Sequence, residues 1–389
     1  MSRIDELIAE HCPAGVPFKP LGEVGTFVRG NGLQKKDFVD DGFPCIHYGQ
    51  IYTFYGTSTA VTKSFVAPEL AARLKQAQTG DLVVTTTSEN IDDVCTAVAW
   101  LGEGPIAIGG HSCVFKHTLD PMYAAYYFQT EQFELQKRKF VTGTKVKDIK
   151  ISDIARVKIP VPPLAIQREI AAILDKMESL KAELEAELEL RSRQYAFYRD
   201  SLLTFAERER VRWATLSEIA TIGTGSHDTQ DATPDGDYVF YARGRDPLRL
   251  GSFDFEEQAI ITAGDGVGVG KVFHFADGKY ALHQRAYRIV PGDEIEARYL
   301  YHYLISDFAR YLERTSVHAS VTSLRRPMFL KYPVPVPPLD EQQRVAAILD
   351  KFDALVNDLF IGLPAEIRAR QAQYEYYRDK LLTFEELAA

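Results

Sequence analysis

From Ile166 onward, apolar residues fall at positions 166, 170, 173, 174, 177, 180, 184 and 188. That spacing is the stripe of an amphipathic helix. A second stripe runs through Val345, Ile348, Leu349, Phe352, Leu355 and Leu359. A proline pair precedes each stripe, Pro162-Pro163 and Pro337-Pro338. Proline is tolerated there and sets the entry to a helix. Other stretches change period. "GDLVVTTTSEN" (Gly80–Asn90), "DYVFYAR" (Asp237–Arg243) and "KVFHF" (Lys271–Phe275) read as strands. "MYAAYYFQTEQFELQKR" (Met122–Arg138) and "EARYLYHYLISDFARYLER" (Glu296–Arg314) read as helices. Strands followed by a helix, twice over, predict compact α+β domains.

The two stripes belong to a repeat. "PVPPLAIQREIAAILDK" begins at Pro160 and "PVPPLDEQQRVAAILDK" at Pro335, 175 residues later. At the same offset Tyr126-Tyr127-Phe128 lies over Tyr301-His302-Tyr303. With a shift of one, "AIGGHSCV" at Ala107 faces "ALHQRAYR" at Ala281. Downstream, "YRDSLLTF" at Tyr198 matches "YRDKLLTF" at Tyr377, now at offset 179. The chain therefore divides into residues 1–160, a first variable domain with its N-terminal segment; 161–210, a constant helix; 211–335, a second variable domain; and 336–389, a second constant helix. An arrangement that holds one part constant and varies the other suggests a scaffold carrying two readers.

Each constant block is long enough for roughly 60 Å of helix at 1.5 Å per residue. A stripe of that length needs a partner, and the other copy is the obvious one. The expected scaffold contacts are Ile173, Leu174, Met177, Leu180 and Leu184 with Ile348, Leu349, Phe352, Leu355 and Leu359. Gly362 and Pro364 are expected to kink or interrupt the second helix. "AELEAELE" (Ala182–Glu189) repeats a tetrapeptide and reads either as a solvated helical stretch or as a length adjuster. Tyr195, Tyr198, Tyr374 and Tyr377 fit core or partner packing better than base stacking.

Composition narrows the class. With 389 residues, 46% of them hydrophobic, the chain can build two or three cores. Cys12, Cys45, Cys95 and Cys113 form no CxxC pair, which favours a reducing, cytoplasmic setting. No apolar run has the length of a membrane span or a signal peptide. The net charge of −9 argues mildly against a nucleic-acid binder. The acid is uneven, however: the four blocks carry −1, −2, −2 and −4 in chain order. The two variable domains are thus close to balanced, and each has room for a local basic face.

No catalytic set emerges. "TAGDGVGVGK" (Thr262–Lys271) lacks the first glycine and the final Ser/Thr of a phosphate-binding loop, and reads as a tight turn between strands. The histidines show no metal-ligand spacing. What the variable domains do offer is polar loop residues of the kinds that read base edges and grip phosphates. In the first these are Lys35, Lys36, Tyr48, Gln50, Thr87, Ser88, Asn90, His111, Ser112, Lys145 and Lys147. In the second they are Arg243, Arg245, Lys271, His283, Gln284, Arg285, Ser323, Arg325 and Arg326. His111 over Arg285 is one alignment between the two sets.

The duplicated "PVPPL…AAILDK" lines, the paired "YRD(S/K)LLTF" motifs and "GLPAEIRARQAQYEYYRD" resemble the specificity subunit of type I restriction-modification systems. The resemblance covers almost the whole chain. It implies an α+β fold with two mixed α/β target-recognition domains. These would be separated by two long conserved helices packed as an antiparallel coiled coil, with pseudo-two-fold symmetry. It also implies a non-catalytic subunit that reads a bipartite site in double-stranded DNA. Two methyltransferase subunits would dock on it and bring S-adenosylmethionine. Restriction subunits using ATP and Mg²⁺ can join, and the chain itself would hold no cofactor or metal. Two other readings stay open, a protein-binding scaffold and a divergent, self-contained DNA-modifying enzyme.

Overall fold

A computed structural model describes residues 3–205, 211–266, 268–315, 326–358 and 361–387. The chain forms two compact units, one of Met1–Glu183 with Arg368–Ala389 and one of Leu184–Ile367. The four sequence blocks cut the chain differently. Their helices are shared out between the two units, because each variable domain buries its own stretch of helical stripe.

In the first unit the strands β1 (Gly25–Arg29), β2 (Phe43–Ile46), β3 (Leu82–Thr85), β4 (Ala97–Trp100), β5 (Ile106–Ile108) and β6 (Ser112–His117) frame the domain. One five-stranded sheet runs β1-β6-β3-β4 and ends on Ser58–Thr59. A second places β2 beside β5, in parallel. Leu82, Val83, Val84, Val98 and Val114 are fully buried, as expected of strands covered on both faces. The stretch read as one helix over Met122–Arg138 is two, α1 (Pro121–Tyr127) and α2 (Glu131–Lys137). Thr130 breaks it: its hydroxyl accepts from the Phe133 amide at 3.2 Å and starts a new N-terminus.

The first constant block is a single helix, α3 (Leu164–Leu202), of 39 residues. Its first half faces the unit-1 core through Ile166, Ile170 and Leu174. The second constant block is broken, as expected, into α5 (Leu339–Asn357) and α6 (Leu363–Leu382). Gly362 lies so close to the Ala354 carbonyl that a Cβ would meet its oxygen at 2.4 Å. Pro364 sits in the first turn of α6, where its missing N–H costs nothing.

In unit 1, α3 pairs with the C-terminal part of α6. Tyr374 donates to Glu178 at 3.2 Å. Further on, Glu385 accepts from the Val16 amide, next to Pro17, whose carbonyl accepts from Val161. The two segments therefore run antiparallel. Ile173, Met177 and Leu180 line a small pocket with Arg370, Gln373 and Tyr377. In unit 2, the C-terminal half of α3 pairs with α5: the rings of Tyr195 and Tyr198 stack on Phe352 at 6.4 and 5.4 Å. Leu174 and Leu349 are fully buried, and Ile173, Met177, Leu184, Ile348 and Phe352 are half-buried. Leu180 and Leu355 are exposed, at the margin of the stripe rather than its centre. Leu359 lies outside the described residues.

Unit 2 holds one six-stranded sheet. It contains β7 (Ala220–Thr224), β8 (Tyr238–Tyr241), β9 (Phe255–Ala263), β10 (Phe273–Leu282) and β11 (Ala286–Pro291), in the order β7-β11-β9-β10-β8, with Leu248–Leu250 at the edge. Helix α4 (Ala297–Thr315) packs on it, unbroken as expected. The strand read at Lys271–Phe275 starts at Phe273 and runs on to Leu282.

The two units repeat a bonding frame. Tyr123 donates to the Pro160 carbonyl at 2.9 Å, and Tyr299 to that of Pro335 at 3.0 Å. Tyr126 donates to Asp175 at 2.7 Å, and His302 pairs with Asp350 at 2.8 Å. Tyr374 lies against Tyr126 as Tyr195 lies against His302, each pair of rings 6.4 Å apart. These pairs correct the sequence register in the helix by one: Tyr126 corresponds to His302, not Tyr301.

Candidate nucleic-acid interface

Three loops of unit 1 meet because of how the strands pair. Antiparallel pairing puts the end of β3 beside the start of β6, with Thr85 opposite Ser112. Parallel pairing puts the end of β2 beside the end of β5, which leads into Gly109-Gly110-His111. Gly30 makes room for this: a Cβ there would fall 2.0 Å from the Gly109 oxygen.

The result is a contact among Tyr48, Thr87 and His111. The Thr87 hydroxyl and His111 Nδ1 are 2.9 Å apart, and the Tyr48 and His111 rings are 4.8 Å apart. His47 starts the short helix that carries Tyr48, its Nδ1 accepting from the Gly49 amide at 3.3 Å. Burial, then the charges of Lys35 and His111, lowers the His47 pKa and favours the neutral ring this bond needs. Lys147 pairs with Ser88 across a short ladder. Lys35, Lys36, Asn90 and Lys145 are exposed. The loop after Ser88 is braced from beneath by the buried Lys137, which donates to the carbonyls of Ile91, Asp92 and Val94.

Unit 2 builds the same junction from other residues. Thr86 N donates to His111 O at 2.9 Å, and Gly264 N donates to Arg285 O at 2.8 Å. His111 and Arg285 therefore hold one structural place. By the same strand registers Thr87 corresponds to Asp265, and Tyr48 to Arg243. Arg243 Nη1 donates to Asp265 Oδ1 at 2.8 Å and Arg285 Nη1 to Oδ2 at 3.1 Å. Burial alone would raise the Asp265 pKa, but the bonds and charges of the two arginines outweigh it and hold it below the ordinary carboxylate value. Beside them is a cleft of about 410 Å³ lined by Arg243, Asp246, Asp265 and Gly266. Arg245, Lys271, Gln284 and Arg326 are exposed. Gln284 is turned to Asp228 at 3.1 Å.

Five candidates take internal roles, two of them the buried Thr87 and Ser88, whose hydroxyls are bonded to His111 and Asp93. Ser112 is fully buried and donates to the Gly109 carbonyl at 2.9 Å, so it shapes the loop rather than being presented by it. Gln50 is bonded to Ser64 and to the His47 amide. His283 is buried, and its Nδ1 accepts from the Arg285 amide at 2.9 Å. Ser323 and Arg325 lie outside the described residues. Sequence reading passed over Asp265 and His47, which orient their neighbours. The offsets between the two loop sets differ from loop to loop, so no single alignment brings these residues together.

A repeated frame holding two polar loop junctions of different chemistry defines a protein with two recognition units. Residues 13–190 and 210–369 match the type I restriction modification DNA specificity domain family, and the chain belongs to that family. Similar proteins include the EcoR124I/EcoR124II type I restriction enzyme specificity subunit of Escherichia coli. It is 37% identical over 265 residues, covering 60% of this chain and 65% of that one. A putative type I specificity subunit of Mycoplasma pneumoniae is 31% identical over 294 residues, covering 70% of this chain and 84% of that one. Among solved structures, the S subunit of a type I restriction-modification system from M. genitalium shares the fold. Its TM-score is 0.62 at 15% identity, covering 95% of this chain and 96% of that one. A chain from a structural study of type I system assembly and conformational transition shares it too. That TM-score is 0.57 at 19% identity, covering 95% and 98%. Among the described residues no helix is long and apolar enough to cross a membrane.

Proposed function

We propose that this chain is the DNA-specificity subunit of a type I restriction-modification complex, in which each unit reads one half of a bipartite site in double-stranded DNA. The observation that carries this is the loop junction itself: Tyr48, Thr87 and His111 in one unit, Arg243, Asp265 and Arg285 at the same strand ends in the other. Different side chains on one frame are what two readers of different half-sites need. Lys35, Lys36, Lys145, Lys147, Arg245, Lys271 and Arg326 are the candidate phosphate contacts of the two units.

The chain works as a non-catalytic, cytoplasmic subunit. Two methyltransferase subunits dock on the paired helices and supply S-adenosylmethionine chemistry. Restriction subunits, where present, bring ATP and Mg²⁺. With a net charge of −9, the isolated chain binds DNA weakly and salt-sensitively, and its partners supply much of the phosphate grip.

The test is to map modified bases in a host with and without this chain, keeping its methyltransferase partner. Loss of methylation at a bipartite motif is the expected result and identifies the site. If every methylated motif survives, the DNA reading fails and a protein-binding scaffold takes its place.

A further inference from the structure

Arg243 and Arg285 come from different loops and share one carboxylate. Each guanidinium gives one N–H to Asp265, on separate oxygens. An arginine carries five such donors, so an outward edge remains on each. Asp265 is half-buried, with 24% of its side chain exposed, whereas Arg285 is 62% exposed on its side chain and Arg243 39%. The carboxylate therefore sits behind and the guanidiniums in front. A second brace acts on Arg285, whose own amide donates to the buried His283 ring at 2.9 Å.

Charge decides between two uses for such a pair. A phosphate grip wants excess positive charge, and its strength comes from counterion release. Here the loops that meet carry Arg243, Arg245, Lys271 and Arg285 against Asp228, Asp231, Asp246 and Asp265, so the patch is balanced. A balanced patch attracts DNA poorly but aims donors well. An arginine fixed in advance loses less freedom on binding, and its planar fork matches guanine O6 and N7.

We propose that Arg243 and Arg285 read guanine in the half-site of unit 2, and that Asp265 is the positioning residue that aims both. This rests on the DNA-specificity reading above and adds the base class and the aiming carboxylate. The corresponding residues of unit 1, Tyr48, Thr87 and His111, include no arginine, so guanine reading by an aimed arginine pair is confined to one half of the site.

The experiment uses the full chain assembled with its methyltransferase subunits. The duplex carries the motif mapped from the methylome, with each guanine of both half-sites replaced in turn by 7-deazaguanine, which lacks the N7 acceptor. The native complex should lose about tenfold or more in affinity at one or more guanines, all in one half-site. Complexes with Arg285→Ala or Arg243→Ala should show no further loss at the guanine concerned. Asp265→Asn should shrink the preference for guanine over 7-deazaguanine there while leaving the other half-site unchanged. The inference is overturned if no guanine N7 matters, or if the sensitive guanines stay sensitive in both arginine variants. It is equally overturned if those variants weaken binding to all sequences alike and lower the salt slope by about one each, the signature of a phosphate contact. A motif that does not depend on this chain at all would instead defeat the underlying reading, and the methylome reports that separately.

Discussion

Gln167 and Gln342 hold the same post in the two units. Each side-chain amide donates to a proline carbonyl, Pro162 at 2.7 Å and Pro337 at 2.8 Å. Each side-chain oxygen accepts the amide that precedes a helix, that of Asp120 at 2.9 Å and Glu296 at 2.8 Å. Both side chains are buried, so removing either strands buried backbone groups. Gln342→Ala should destabilise unit 2 by about 2–3 kcal/mol, whereas Gln343→Ala, on the exposed side, should change little. Urea unfolding followed by tyrosine fluorescence measures both. His117 offers a pH test. Burial lowers its pKa from 6.5 to about 4. The unfolded chain therefore takes up the proton first, and the neutral ring's contribution is complete above about pH 6.5. It is lost as the pH falls towards 4. His117→Phe should flatten that part of the stability profile, read as thermal midpoint against pH.

At the scale of elements, the long helices and the duplication were legible because the apolar stripe is regular and the two copies are close. The break at Gly362 was legible from glycine and proline alone. Two features were not. The split between α1 and α2 depends on Thr130 turning its hydroxyl back on the Phe133 amide, and a threonine inside an apolar run carries no such label. The loop junctions were only half legible. His111 over Arg285 is visible in the strand that follows them, but Thr87 over Asp265 needs the ladder between β3 and β6. The closeness of Gly362 to the Ala354 and Leu355 carbonyls gives the break its own test. Gly362→Ala should cost about 1–3 kcal/mol in unit 2 by forcing the turn apart. Ala365→Gly, a few residues on, should cost about 1 kcal/mol or less. Hydrogen exchange across α5 and the start of α6 would show whether the loss is local.

At the scale of the whole molecule, α3 is the longest uninterrupted element, and Ala182–Glu189 lies within it. Deleting Ala182–Glu185 shortens the helix by about 6 Å, a little over one turn. In the proposed function this shortens the spacer of the methylated motif by about one or two base pairs and leaves both half-sites as they were. An unchanged spacer in the methylome of the deletion strain would remove the helix from any role as a ruler.

The helix pairing has a consequence for ancestry. The first half of α3 is completed by α6, and its second half by α5, the segment that repeats the first half. Each repeat therefore carries both a socket and the plug for the other repeat's socket. A chain holding one repeat would be unsatisfied alone but could satisfy a twin, giving a symmetric homodimer suited to a palindrome. Fusing two such copies in one gene keeps the closure and frees the copies to diverge. Once fused, and on the proposed function, a mutation such as one that set Arg285 where the other copy has His111 would change one half of the reader and spare the other. Asymmetry in the target then becomes heritable one side at a time.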